Sequence, residues 1–229
     1  MAHISIFVII LFIVTTFFTV WLFYKASGKS KTVFFVLSAW MLLQAVVGLT
    51  GFYLQTQTVP PRFVFLIAPG LVLIILLFLT KRGRFFIDSL QLRELTLLHT
   101  IRVFVELTLY CMFSAKLIPL LMTFEGINFD ILSGLTAPVM YYLVFIVKKV
   151  DNKYLLVWNF VCLALLLNIV TIALLSLPTP FQKFAFEQSN IGLAYFPFVW
   201  LPCVVVPIVL FSHLVSIRQL LMLIRKDKI

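Results

Sequence analysis

The sequence predicts an all-α polytopic bundle of seven transmembrane helices, on three observations. Of 229 residues, 63% are apolar and only 11% are charged, whereas soluble domains carry about 25% charged residues. The apolar residues gather in runs long enough for a hydrocarbon core, which takes roughly 20 helical residues to cross. No run alternates with period two, so the backbone satisfies itself as helices and not as a barrel. With a mean hydropathy of +1.15, residues 1–229 read as a single transmembrane domain.

The first span is placed at about 4–24. Met1-Ala2-His3 has no Lys or Arg, the apolar run is long, and Tyr24-Lys25 stands where a cleavage site would need small residues, so a retained helix is expected and not a signal peptide. The second, 33–54, carries Trp40 and Gln44, and the third, 63–80, contains Pro69 and stops at Lys81-Arg82. The fourth, 96–122, holds the ionisable residues. The fifth, 131–147, is the shortest; Gly134 and Pro138 interrupt it and Lys148-Lys149 close it. The sixth, 153–177, has Asn159 and Asn168, and the seventh, 193–217, has Pro202 and Pro207. Between the last two, Thr179-Pro180 reads as a cap and first helical residue. Phe181, Phe184 and Ala185 share a face opposite Lys183 and Glu187, which predicts an interfacial helix at about 180–190.

Short cytoplasmic loops retain Lys and Arg. Lys25, Lys29 and Lys31 follow span one; Lys81, Arg82, Arg84 and Arg93 follow span three; Lys148, Lys149 and Lys153 follow span five; Arg218, Arg225, Lys226 and Lys228 follow span seven. All fall on one side. Arg62, Lys116 and Lys183 lie on the other, matched by Glu125, Asp130 and Glu187. The N-terminus is therefore expected outside and the C-terminus inside, in a multi-pass protein of the inner (cytoplasmic) membrane. The basic loops face anionic headgroups, and no aromatic-interleaved basic patch points to nucleic acid. Cys111, Cys162 and Cys203 are far apart and read as apolar packing residues.

The fourth span is the most informative. His99, Arg102, Glu106 and Tyr110 fall on one stripe at helical spacing. Ionisable residues at such depth are costly and face a bundle interior or a hydrated cavity, and Arg102 and Glu106, four apart, are spaced to pair with each other. At 1.5 Å per residue, Glu106, Gln44 and Asn168 reach one level about 20 Å from the basic ends of their spans. His99, Asn159 and His213 lie shallower. The expectation is a polar cavity walled by Trp40, Trp158, Tyr141 and Tyr142, with its floor near Tyr110. Arg102, Glu106, Tyr110, Gln44, Asn168 and Asn159 are its candidate substrate-binding residues, and His99 with His213 forms a candidate haem or metal pair. Interhelical glue is the competing reading of the amides. Glu125-Gly126-Ile127-Asn128-Phe129-Asp130 reads as an external turn with Asp130 as a helix cap, and Trp200 and Tyr195 as an outer interfacial belt.

Basic residues recur after spans one and five and after spans three and seven, so the chain is organised as three helices, a linker helix and three more. This topology is similar to that of SWEET-type transporters, whose parallel repeats are built in this way. Their proline–glutamine pair is absent, since span one has no proline and Val139 follows Pro138. Seven helices with the N-terminus outside also resemble a rhodopsin, but no lysine lies between Asn190 and Arg225 to hold retinal. The passages His99 to Glu106, Glu125 to Asp130, and Phe196-Pro197-Phe198-Val199-Trp200-Leu201-Pro202 through His213 resemble a family of seven-span bacterial membrane proteins with no known activity.

No phosphate-binding loop, nucleophile elbow or paired catalytic carboxylates occur, so the motifs favour a binding protein over an enzyme without deciding between them. The expected function is binding of a small solute or ion in the polar cavity, as a transporter or a solute sensor. The alternatives are a redox subunit or enzyme holding haem or metal, and a structural subunit that docks a membrane-protein partner or a second copy of itself.

Overall fold

The computed structural model describes residues 4–226. Met1-Ala2-His3, and Asp227 and Lys228 of the C-terminal charge run, lie outside the described residues. Among the described residues every regular element is helical. Among the described residues five helical stretches are long and apolar enough to cross a membrane, or six if the bent pair of α3 and α4 counts as one span. This is the composition of a multi-pass membrane protein.

Helix α1, Ile6–Ala26, starts where the Ser5 hydroxyl accepts from the Phe7 amide at 3.3 Å. Its polar residues Thr15, Thr16 and Thr19 are buried, each hydroxyl bonded to a carbonyl four residues back at 2.7–3.0 Å, so the stripe enters the core with no unpaired donor. Helix α2, Lys31–Leu49, is largely uncovered; 17% of its most apolar stretch is buried. Helix α3, Val64–Leu79, bends by 96° into α4, Lys81–Ser89. Thr80 makes this corner by accepting from the Gly83 amide at 3.1 Å, while Arg84 donates to the carbonyls of Phe78 and Leu79. Gly83 is required there, since a Cβ would lie 2.2 Å from the Leu77 carbonyl oxygen.

The expected fourth span is two helices, α5, Leu92–Leu98, and α6, Ile101–Ser114, and it stops well before residue 122. Lys116 adopts a left-handed conformation with φ 59°, and the Leu117 amide bonds back to the Met112 carbonyl at 3.0 Å, a closure that ends a helix. Pro119 then prevents its resumption. The chain folds back along α6 before α7, Ile131–Tyr141, which widens into a π-turn over Tyr142–Ile146. Helix α8, Asn152–Leu175, is capped by Asp151. Residues 180–190 form turns and not the expected interfacial helix. There the amides of Lys183 and Phe184 bond the Leu175 carbonyl at the end of α8, so this segment caps a neighbour instead of building a helix of its own.

A π-turn, Leu201–Val205, leads into α9, Val206–Lys226, and this is the central element, with 72% of its most apolar stretch buried. It packs against α8, α5, α3 and α4. Trp200 is buried and donates to the Met41 carbonyl at 3.0 Å, so it staples α2 to this junction and is not part of an interfacial belt. The end of α1 is tied to the start of α5 by Lys25–Glu94 at 3.1 Å, and the end of α4 to Arg218, within α9, by Arg218–Asp88 at 2.9 Å. Gln219 adds bonds to the Ile87 and Leu90 carbonyls at 2.8 and 2.9 Å.

Candidate functional site

Arg102 is the largest fully buried side chain, and it lies where α6, α7, α8 and α9 converge. Its Nε and Nη2 make a two-pronged ion pair with Asp130. Nη1 donates to His213 Nε2 at 3.0 Å, and Nη2 also reaches the Cys162 carbonyl at 3.3 Å. Four of the five guanidinium N–H groups therefore have protein acceptors. Arg102 does not pair with Glu106 as the i, i+4 spacing suggested; the planar fork finds its match across the bundle.

Asp130 is not an external cap. It makes no side-chain bond to the start of α7 and is 5% exposed. From Ser114 back to Arg102 is about 18 Å of helix, and the segment after α6 returns over that distance to bring Asp130 alongside. Two glycines permit the approach. A Cβ on Gly134, one turn into α7, would lie 2.7 Å from the Val103 amide of α6. A Cβ on Gly126 would lie 2.3 Å from the Leu120 carbonyl oxygen. The helix expected as the fifth span, α7, is short, and it begins where Asp130 is already buried beside α6.

Glu106, 1% exposed, is met by Asn128, whose Nδ2 lies 2.7 and 2.8 Å from the two carboxyl oxygens and 2.9 Å from the Met122 carbonyl. The other end of Asn128 accepts from the Asp130 amide at 3.1 Å. Asn128 thus bridges the Glu106 carboxyl and the Asp130 backbone amide, and neither it nor Asp130 was among the residues expected at the site. Glu106 and Asp130 line one cavity of about 70 Å³, otherwise walled chiefly by apolar side chains such as Val105, Leu166 and Val206.

On the far side of Arg102, Asn159 donates to the Leu155 carbonyl at 2.9 Å and offers its oxygen to His213 Nδ1 at 2.9 Å. With Nε2 accepting from Arg102, His213 is assigned as the Nδ1–H tautomer. His99 stacks on it, ring centroids 3.8 Å apart and planes 14° apart, with Trp158 at 5.6 Å edge-on. Neither His99 ring nitrogen has a hydrogen-bond partner among the described residues. Face-to-face imidazoles at this spacing leave no room for a haem between them, and both His213 nitrogens are already bonded. No group of three or more metal-ligating side chains assembles among the described residues.

The remaining expected residues lie elsewhere. Gln44 is buried against the Tyr53 hydroxyl at 2.5 Å, Asn168 is exposed and donates to the Ile127 carbonyl at 2.9 Å, and Tyr110 stacks on Phe124 at 5.0 Å. Trp40 donates to the Cys203 carbonyl at 2.8 Å, Tyr141 bonds Arg93, and Tyr142 is exposed. Of the expected cavity residues, the structure brings together Arg102, Glu106, Asn159, His99, His213 and Trp158.

Comparison with curated proteins and with solved structures finds no match. A family model does match, over residues 58–221, a range that contains α3 to α8, most of α9 and every member of the buried network. The chain belongs to the family described as Domain of unknown function (DUF8737).

Proposed function

We propose that this is a seven-span protein of the cytoplasmic membrane, N-terminus outside, that takes up and releases a proton at Glu106 as it transports or senses a small ion. The seven spans of this reading are α1, α2, α3, α5 with α6, α7 with its π-turn, α8 and α9, with α5–α6 as the linker in chain order between two sets of three. The basic residues near the ties of α1 to α5 and of α4 to α9 support the orientation.

One observation carries the reading: among the described residues the buried carboxyl groups, Glu106 and Asp130, outnumber the buried cation, Arg102. Arg102 balances Asp130, so among the described residues Glu106 has a single amide, that of Asn128, as its hydrogen-bond partner. An isolated ionised carboxyl is costly in such surroundings, and a proton or a small cation completes it. The cavity it shares with Asp130, about 70 Å³, has room for no more than a few waters. An ion of few atoms fits there and a sugar-sized solute does not. Asn128 joins the Glu106 carboxyl to the Asp130 backbone amide, and Arg102, His213 and His99 continue the polar path across the bundle.

The test is proton movement in vesicles holding the reconstituted protein and a trapped pH-sensitive dye. Wild-type protein should dissipate an imposed pH gradient and Glu106→Gln should not, while folding alike by circular dichroism. Equal dissipation by both would refute the assignment.

A further inference from the structure

A second cavity, of about 760 Å³, lies between α2, α3 and the start of α9, on the opposite side of α9 from the ionic network. Its walls are apolar, with Val36, Leu43 and Leu73 each at least half exposed toward it. The polar Ser30 and Thr32 occur only at one end. Pro207 lacks the N–H that the Cys203 carbonyl would otherwise take within the helix, and the Trp40 indole supplies it across the cleft floor at 2.8 Å. The floor therefore exposes no orphaned carbonyl.

Size and charge identify the occupant. Along α2 the lining runs from Ser30 to Leu43, about 20 Å at helical rise, comparable with the roughly 15 Å depth of one leaflet of the hydrocarbon core. At the end marked by Ser30 and Thr32 stand Lys29 and Lys31, and next to Leu77 of the opposite wall begins α4 with Lys81 and Arg82. All four are exposed and make no ion pair among the described residues, whose pairs are Lys25–Glu94, Arg102–Asp130, Lys153–Asp151 and Arg218–Asp88. Helix α4 crosses this end with Phe85 81% exposed beside its basic residues, the make-up of a helix lying in a membrane interface.

We infer that this cleft seats an acyl chain of an anionic phospholipid, whose phosphate is held by Lys29, Lys31, Lys81 and Arg82. The apolar walls take the chain, the Ser30 and Thr32 hydroxyls stand at the ester level, and the unpaired cations supply the preference for negative headgroups. Each such cation near a membrane surface is worth about fivefold in anionic-lipid affinity. The site is independent of the proton reading at Glu106.

Native mass spectrometry of the full chain in detergent, with phosphatidylglycerol or phosphatidylcholine added in equal amounts, tests this. Wild-type protein should retain one phosphatidylglycerol at least about tenfold in preference to phosphatidylcholine. Lys31→Gln with Lys81→Gln and Arg82→Gln should erase the preference, and Leu73→Trp should remove the lipid. Leu43→Trp on the facing wall serves the same purpose should the first filled variant unfold at lower temperature. Equal retention of the two lipids, unchanged retention in a folded cleft-filled variant, or a lipid-free dimer that the filled variant dissociates would each overturn the assignment, the last in favour of a second copy of the chain.

Discussion

Helix α9 and its leading π-turn divide the molecule into two unlike regions. Toward α5, α6, α7 and α8 the contacts are closed around charge: Arg102, Asp130, His213 and Asn159 are buried and bonded to one another, beside a cavity of about 70 Å³. Toward α2 and α3 the same central element faces an apolar cleft of about 760 Å³ with no charged side chain in its lining. The difference follows from what each surface would meet if left uncovered. Apolar side chains lose nothing against acyl chains, since lipid is as apolar as they are, so α2 can stand off. A guanidinium and a carboxylate cannot, so the helices that carry them must close.

The comparison is broken most severely by Asp130→Ala. It leaves Arg102 buried without its counter-charge, and a loss of about 3–5 kcal/mol is expected, read as a lowered thermal unfolding temperature in detergent. The double replacement Arg102→Met with Asp130→Leu should recover most of that stability while abolishing proton movement, which separates packing from function. Next in size, Gly134→Val should cost about 1–3 kcal/mol by the same measurement, because its side chain meets the Val103 backbone and pushes α7 off α6. Trp40→Phe keeps the apolar ring and removes the donor to the Cys203 carbonyl, for about 1 kcal/mol. Leu73→Trp, pointing into the open cleft, should stay within about 0.5 kcal/mol of wild type. A large loss there would show that the cleft is filled by the protein itself.

The all-helical, multi-pass character was legible because apolar run length and period are properties of single segments. Burial was legible where one helix face decided it: Arg102 and Glu106 of α6 turn inward while Tyr110 is only partly covered, and His99, His213 and Asn159, counted to one level, lie together. Level is not direction, though. Gln44 and Asn168 were placed by distance along their helices, which says nothing of the face they present, and they bond Tyr53 and the Ile127 carbonyl instead. The partner of Arg102 was missed because Asp130 is remote in sequence and sits in a segment that folds back beside α6. Two signals for that fold-back were present, Pro119 inside the supposed fourth span and the shortness of the fifth. The 180–190 pattern misled for a related reason, since backbone groups needed at the end of α8 outweighed a weak local helix preference.

Infrared difference spectroscopy of the reconstituted protein, stepped in pH, tests the central claim most directly. Wild type should show a buried-carboxyl stretch, resolved by frequency from those of the exposed carboxyl groups, that changes with pH, is missing in Glu106→Gln, and shifts when Asn128→Leu removes the amide touching both oxygens. A buried-carboxyl signal that survives Glu106→Gln unaltered, or a wild-type spectrum holding only the signal of exposed carboxyl groups that protonate at about pH 4, would contradict the claim.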